Sequence, residues 1–277
     1  MLLALVAFTA LRFTLCSDSY QRETINEDSR LIGKSMAVTR QDYLFDSPYD
    51  WGKLQKQDGY LAYVKDGQTL SKLGIDVSEH NGKIDWQKVK DAGIEFSYIR
   101  AGYRGSQSPT VVSDDSFEVN FSGARDAGLQ VGVYFYSMAL TEEEAREEAD
   151  YTCDLLGGAK IDYPIAFDME PDNDDSERVQ GMTTDQYTAI ARAFCDECER
   201  RGYSAVVYGN QYELALYDRK ALATFGFWYA EYESNPTTIL RFGMWQYTKT
   251  GKVPGIETNV DIDLDLTDAL AAEDQEG

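Results

Sequence analysis

The sequence is poor in histidine and in basic side chains, and each scarcity excludes a class of function. His80 is the only histidine among the 277 residues. A metal site built from several imidazoles is therefore impossible, and a Ser-His-Asp triad would have to use this one residue. Lysine and arginine number 26 against 48 aspartates and glutamates, which gives a formal charge of −22. Because so acidic a chain repels phosphate backbones, we expect no nucleic-acid partner.

Cysteine is also scarce, and the four cysteines form no complete metal or redox motif. Cys195 and Cys198 have the CxxC spacing, but they fall inside an amphipathic helical pattern over residues 187–201. Neither a second CxxC nor a histidine pair completes a zinc site. We interpret these thiols as partly buried side chains on a helix, with redox chemistry as the alternative. We expect neither a cofactor nor a metal.

Apolar and aromatic residues are abundant by contrast, at 43% hydrophobic residues and 19 tyrosines, which excludes disorder for most of the chain. Residues 1–16 contain an apolar run from Leu2 to Leu11 that Arg12 ends. The run is too short to span a bilayer, but it suits a signal peptide or the remnant of a signal-anchor. It predicts export to the cell surface or beyond, with membrane attachment if the segment is retained.

The region between this segment and the main domain falls into two parts. Residues 17–43 are polar and lack apolar periodicity, so we interpret them as a disordered linker. Residues 44–72 predict a β-hairpin extension, because apolar and polar residues alternate around Asp66-Gly67, a dipeptide typical of two-residue hairpin turns.

Residues 73–268 predict an α/β barrel, followed by an acidic tail over 269–277. Eight apolar strand-like runs recur, and helical patterns separate the first five. Such alternation is typical of a parallel sheet covered on both faces, and eight strands indicate a TIM-like barrel. The region is shorter than the roughly 250 residues typical of that fold, so we predict about (β/α)5(β)3, irregular in its last three strands. The runs cover residues 75–78, 96–102, 131–137, 164–170, 204–210, 227–232, 243–248 and 260–266.

Asp168 and Glu170 are the strongest candidates for chemistry. They end the fourth run, and active sites of such barrels lie at the carboxyl ends of the strands. Residues i and i+2 of a strand face the same side, so both carboxylates should enter one space. Two like charges raise the pKa of one acid, which supplies a proton donor beside an ionised group, as glycoside hydrolysis requires. Two solvated acids at a strand end are the alternative.

Other acids and aromatic residues at the strand ends favour an active site over two solvated acids at a strand end. Asp76 and Asp261 lie in the first and last runs. Trp228-Tyr229 and Trp245-Gln246-Tyr247 alternate, so one member of each set should face inward. Aromatic rings can pack on sugar rings, although such residues also often complete a core.

At these residues the chain resembles glycoside hydrolase family 25, the Chalaropsis-type lysozymes of bacteria and phages. The resemblance covers about 74–266. It lies in GIDVSEHNGKIDW (74–86), FSYIRAGYRG (96–105), VGVYFYS (131–137), FDMEP (167–171), MWQYT (244–248) and NVDIDLD (259–265). It implies a flattened barrel without its last helices. It also implies hydrolysis, with retention of configuration, of the β-1,4 bond between N-acetylmuramic acid and N-acetylglucosamine in peptidoglycan. We expect the protein to be a monomer.

The resemblance also implies roles for single residues. Asp76, Asp168, Glu170 and Asp261 match the four acids of the family's site. Glu170 is expected to be the general acid, and Asp168 to assist the substrate's acetamido group, with direct attack by Asp168 as the alternative. The expected substrate-binding residues are Tyr134, Tyr208, Trp228, Trp245 and, at the end of the second run, Arg100.

One departure and two alternative functions remain. Phe135 stands where some family members carry histidine, a change that bears on fine specificity. The first alternative is a catalytically inactive barrel that binds peptidoglycan. The second is a metal-dependent or calcium-stabilised barrel, which the run Asp261, Asp263 and Asp265 suggests; however, the glycine turn of an EF-hand loop is missing.

Overall fold

The computed structural model describes residues 43–105, 109–171 and 177–274. The segment interpreted as a signal over 1–16, the linker up to residue 42 and the last three residues of the acidic tail lie outside the described residues. No helix in the described ranges has both the length and the apolar character needed to cross a membrane.

A small antiparallel sheet precedes the barrel, as the sequence predicts. It contains β1 (Leu54–Gln57), β2 (Tyr60–Lys65) and β3 (Gln68–Thr69), in that order. Asp66 and Gly67 join β2 to β3 with φ angles of 53° and 79°. A two-residue type I′ turn needs positive φ at both positions, which aspartate and glycine tolerate. Strand β1 was not predicted from the sequence.

Eight strands close the barrel, and all eight predicted runs are confirmed. The first seven strands are parallel, whereas the last is antiparallel to both of its neighbours. A short strand, β6 (Val111–Ser113), pairs with the outer end of the second barrel strand. The barrel strands are β4 (Lys72–Val77), β5 (Phe96–Arg104), β7 (Gln130–Tyr136), β8 (Ile165–Asp168), β9 (Ala205–Asn210), β10 (Phe227–Ala230), β11 (Met244–Gly251) and β12 (Val260–Asp265).

The helices are long only in the first part of the barrel. Between β10 and β12, over the fully described residues 231–259, the chain forms no helix, so the predicted irregularity of the last three strands is confirmed. A parallel return from β11 would need a crossover of a dozen or more residues, and the eight residues 252–259 instead form a hairpin that reverses β12. The helices are α1 (Trp86–Asp91), α2 (Phe117–Asp126), α3 (Glu142–Leu156), α4 (Thr184–Arg200), α5 (Gln211–Leu214), α6 (Arg219–Leu222) and α7 (Thr267–Asp274).

Side-chain caps fix the starts of the two long helices. The Thr141 side chain accepts a hydrogen bond from the backbone N–H of Glu144 and caps α3. Helix α4 is capped by Thr183, and Gln186 completes a capping box. Such caps satisfy backbone donors that would otherwise lack partners.

Helix α7 occupies most of the predicted acidic tail and fixes the small sheet to the barrel. The Glu273 carboxylate accepts hydrogen bonds from Lys53 Nζ at 2.7 Å and from Tyr63 Oη at 2.8 Å. The backbone N–H of Ala269 donates to Leu70 O at 3.1 Å. Since β12 runs antiparallel, α7 follows it at the barrel end opposite the carboxyl ends of the parallel strands.

The hydrophobic core has two layers. The larger layer lies between the strands and the helices, and the smaller one fills the inside of the barrel with aromatic rings. Tyr98 and Trp228, for example, have ring centroids 4.5 Å apart.

The CxxC cysteines are buried within the outer layer on α4. Cys198 pairs with Cys153 of the adjacent helix α3 through a thiol hydrogen bond. The burial of these cysteines and their hydrogen bond are typical of packed core side chains.

Candidate active site

A cavity of about 410 Å³ opens at the carboxyl ends of the parallel strands, where active sites of such barrels lie. We call it the mouth cavity. Each of the eight barrel strands contributes at least one inward-facing residue to this cavity. It is lined by Asp76, Ser78, His80, Arg100, Tyr134, Tyr136, Asp168, Glu170, Tyr208, Trp228, Tyr232, Gln246, Lys249 and Asp261.

Asp168 and Glu170 form what we call the parallel wall of this cavity. Asp168 is the last residue of β8, and Glu170 lies two residues beyond the end of the strand. Met169 between them is fully buried in the outer core, so the alternation of the strand continues past its last ladder hydrogen bond. The backbone N–H of Ser137 donates to Asp168 O at 2.6 Å and fixes this end of β8 to β7.

The Asp168 carboxyl is buried, with 6% of its residue surface exposed. Burial raises its pKa well above the ordinary value, and the negative charges of Glu170 and Glu213 raise it further. Within the described residues, no donor reaches its Oδ1 atom. A buried carboxylate oxygen without a donor is costly, so the free site favours the protonated form of Asp168.

Asp76 of β4 and Asp261 of β12 form the antiparallel wall. The two residues are direct partners in the β4–β12 ladder, and like charges at such positions destabilise each other. Burial and then the charge of Asp261 raise the pKa of Asp76. Burial also raises the pKa of Asp261, to about 6, although a backbone hydrogen bond and the charge of Lys249 act in the opposite direction.

Asp263 lies beneath this wall and was not predicted as a site residue. It is fully buried, and its Oδ1 accepts a hydrogen bond from Trp228 Nε1 at 3.0 Å. Its Oδ2 has no hydrogen-bond donor among the described residues, and the Asp76 carboxyl lies close enough for the charge of Asp263 to raise its pKa. Burial and then the charge of Asp261 raise the pKa of Asp263. Because two carboxyls form a hydrogen bond only when one is protonated, Asp76 and Asp263 are suited to share a proton.

The acids of the DxDxD run lie at three depths of the barrel. Asp261 lines the mouth cavity, Asp263 lies in the middle, and Asp265 accepts from Tyr163 Oη at 2.8 Å near the opposite end. In the described parts of the chain, no group of three or more acidic, histidine or cysteine side chains is placed to hold a metal ion.

A hydrogen-bonded network centred on Gln246 holds the antiparallel wall. Gln246 Nε2 donates to Asp76 Oδ2 at 2.7 Å. Its Oε1 accepts from Tyr208 Oη at 2.9 Å and from Tyr232 Oη at 2.7 Å. Neither Gln246 nor Tyr232 was predicted from the sequence to be a site residue. The sequence signal for Gln246 is the strand alternation of residues 245–247, which does not tell which of them face the cavity.

The structure corrects the position expected of Trp245. Its side chain is fully buried on the outer face of β11, 5.7 Å from the ring of Trp51, and its Nε1 donates to Glu231 O. Alternation along β11 therefore gives the cavity face to Gln246 and the outer core to Trp245. The other expected substrate-binding residues, Tyr134, Tyr208, Trp228 and Arg100, do line the mouth cavity.

Arg100 is held by two acids at the rim. Its Nε donates to Asp114 Oδ2 at 2.8 Å, and its Nη2 donates to Glu79 Oε1 at 3.1 Å. The side chain is largely buried, with 11% of its surface exposed. Its charge is therefore compensated before any ligand binds.

Comparison with known structures identifies similar proteins. The autolysin LytC from Streptococcus pneumoniae, in complex with a synthetic peptidoglycan ligand, is 26% identical with a TM-score of 0.63 over 76% of this chain and 51% of that chain. This chain thus spans about half the length of LytC. A bacterial lysozyme from Streptomyces coelicolor is 27% identical with a TM-score of 0.58, over 74% of this chain and 98% of that one.

A further neighbour supports the fold alone. A family 25 glycosyl hydrolase from Bacillus anthracis is 21% identical with a TM-score of 0.62, over 74% of this chain and 92% of that chain. Comparison with curated protein sequences returned no match. The model of the family described as glycosyl hydrolases family 25 matches residues 75–256, which is well over half of the chain. This protein belongs to glycosyl hydrolases family 25.

Proposed function

We propose that this protein is a muramidase that hydrolyses the β-1,4 bond between N-acetylmuramic acid and N-acetylglucosamine in peptidoglycan, with retention of configuration. The observation that carries the proposal is the placement of Asp168 and Glu170 in one aromatic-lined cavity. Membership of family 25 supports it, as does the peptidoglycan ligand bound by the similar LytC.

In the proposed mechanism, Glu170 donates a proton to the glycosidic oxygen as the bond to the anomeric carbon breaks. Asp168 accepts a hydrogen bond from the N–H of the substrate's acetamido group. This bond increases the electron density on the acetamido oxygen, which attacks the anomeric carbon from the opposite face. Glu170 then removes a proton from a water molecule that opens the cyclic intermediate, and two inversions give net retention.

The Oδ1 of Asp168, which no donor reaches in the described parts of the chain, supports this division of roles. A buried acceptor without a donor can bind an incoming N–H without first losing another partner. Asp168 and Glu170 interact strongly, so they titrate as a pair. We propose that the pair holds one proton. A hydrogen bond from the substrate stabilises the anion of Asp168, and the proton is then available on Glu170.

The remaining lining residues would bind and orient the sugar. Asp76 and Asp261 are placed to accept hydrogen bonds from sugar hydroxyls, and the Gln246 network fixes Asp76. Tyr134, Tyr208 and Trp228 supply aromatic surface. We further propose that the protein acts outside the cell or at its surface, as a monomer, with membrane attachment if its N-terminal apolar segment is retained.

A test compares lysis of purified peptidoglycan by the wild type and by Glu170→Gln. Removal of a general acid costs roughly 10²–10⁴-fold in rate, so the variant should clear peptidoglycan at least about 100-fold more slowly. Glu118→Gln changes an exposed acid of α2 outside the cavity and is the matched control. A wild type that binds peptidoglycan without clearing it would instead indicate an inactive binding barrel.

A further inference from the structure

Among the described residues that line the mouth cavity, Lys249 is a cation that no acid holds in an ion pair. Its lining has four carboxylates, at Asp76, Asp168, Glu170 and Asp261, and the basic side chains Arg100 and Lys249 beside the histidine. Arg100 is bound by Asp114 and Glu79. Lys249 is exposed, and within the described residues it has no ion pair within 4.0 Å. Its charge is therefore available to an anionic group of a ligand.

The backbone directs Lys249 over the cavity. It lies on β11 where the ladder with β12 shifts register twice, between Gln246 and Thr248 and again between Thr248 and Gly251. Bulges of this kind re-aim side chains and often lie next to active sites. The charge of Lys249 also reaches Asp261, whose pKa it lowers.

Tyr232 supports the lysine at the rim. Lys249 Nζ lies 5.4 Å from the centroid of the Tyr232 ring, a distance typical of a cation–π contact. The Tyr232 hydroxyl donates to Gln246 Oε1 at 2.7 Å, while 45% of the residue surface stays exposed. The ring is thus fixed at one edge and offers a face to a sugar, with the ammonium group beside that face.

We infer that Lys249, held over Tyr232, recognises a carboxylate carried on the muramic acid residue of the substrate. This inference rests on the proposed function. Muramic acid differs from glucosamine by a lactyl ether, which ends in a free carboxylate in peptide-free strands. In peptide-bearing strands that carboxyl is in an amide bond, and the stem peptide supplies carboxylates instead. Either source presents an anion to a cavity whose acids would otherwise repel it.

The test is a set of binding titrations in a Glu170→Gln background, which prevents turnover. The three ligands are a peptide-free tetrasaccharide of alternating N-acetylglucosamine and N-acetylmuramic acid, the same tetrasaccharide with stem peptides, and the tetramer of N-acetylglucosamine. The last ligand has no carboxylate. The added changes are Lys249→Gln, Lys249→Arg and the matched control Lys252→Gln, which removes a charge from an exposed residue of the same segment outside the cavity.

Lys249→Gln should weaken binding of a carboxylate-bearing tetrasaccharide by about two- to fivefold, the upper part of the range for an exposed charge pair. Binding of the N-acetylglucosamine tetramer should change less than about twofold, Lys249→Arg should restore the affinity, and Lys252→Gln should have no effect. Weakening with the peptide-free ligand identifies the lactyl carboxylate, and weakening only with the peptide-bearing ligand identifies the stem peptide.

Two results would overturn the inference: equal weakening for all three ligands, or unchanged affinity for both carboxylate-bearing ones. A separate result would overturn the proposed function and the inference with it. In that case the Glu170→Gln parent would bind neither muramic acid ligand, and the wild type would leave peptidoglycan intact.

Discussion

In the parallel wall of the mouth cavity, two acids lie two residues apart at the end of one strand. In the antiparallel wall, the two acids come from the first and last barrel strands and meet as ladder partners. A local pattern in the sequence therefore builds the first pair, whereas the closure of the barrel and the reversal of β12 build the second. Had β12 been parallel, Asp261 would lie at the opposite end of the barrel.

The walls also differ in how their carboxyls are satisfied. Asp76 is held by Gln246 and backed by Asp263. Asp168 has a buried oxygen without a donor in the described residues. A satisfied group suits a fixed binding surface, while an unsatisfied one is available to a reacting substrate. From this comparison we propose that the parallel wall carries out the chemistry and that the antiparallel wall binds the sugar.

The largest expected effect tests that assignment on the parallel wall. Asp168→Asn keeps the shape of the side chain but cannot provide a charged acceptor for the acetamido N–H. We expect kcat for peptidoglycan hydrolysis to fall by roughly 10²–10³-fold, within the range for groups that act in the transition state. Steady-state kinetics on soluble glycan strands measures it. A fall smaller than that of Asp261→Asn would reverse the proposed division of roles.

A smaller effect is expected on the antiparallel wall. Asp261→Asn should raise KM by about tenfold, because it removes one charged hydrogen-bond acceptor for the sugar. The pKa of Asp261 is raised to about 6, so its carboxyl is neutral below that pH and charged above it. In the wild type KM should therefore fall as the pH rises through about 6, and in the variant this dependence should disappear. An unchanged pH profile of KM would show that another group controls binding.

The smallest expected effect is on the stability of the fold, and it comes from Asp263, which lies beneath the antiparallel wall. The pKa of Asp263 is raised in the folded state, so its contribution to stability is present at acidic pH, below its ordinary pKa, and is lost as the pH rises through the folded value. Asp263→Asn removes this titration, and its side-chain oxygen can still accept from Trp228. At pH 8 we expect the free energy of unfolding of the variant to exceed that of the wild type by about 1–2 kcal/mol. Between pH 4 and pH 8 this free energy should fall less steeply in the variant than in the wild type.

Urea unfolding at several pH values measures the effect of Asp263→Asn. Glu118→Gln, at an exposed position, should leave the slope of stability against pH as it is in the wild type. A variant that is less stable than the wild type at pH 8 would indicate that the Asp263 carboxylate is needed as an anion.

The sequence predicted those features that short-range patterns determine. Apolar runs marked all eight barrel strands, Asp66-Gly67 marked the hairpin turn, and the DxE spacing marked the parallel wall. Alternation alone left two possible faces for β11, and the packing of Trp51 against Trp245 decides between them. Tyr232 and Lys249 depend on a loop and on bulges, whose geometry comes from tertiary contacts and has no periodic signal in the sequence.

The most direct test of the central claim is mass spectrometry of the fragments released from purified peptidoglycan. If Asp168 and Glu170 act as proposed, the wild type releases fragments with N-acetylmuramic acid at each new reducing end, and Glu170→Gln releases almost none. Fragments with N-acetylglucosamine at the new reducing end, or equal release by both proteins, would contradict the account.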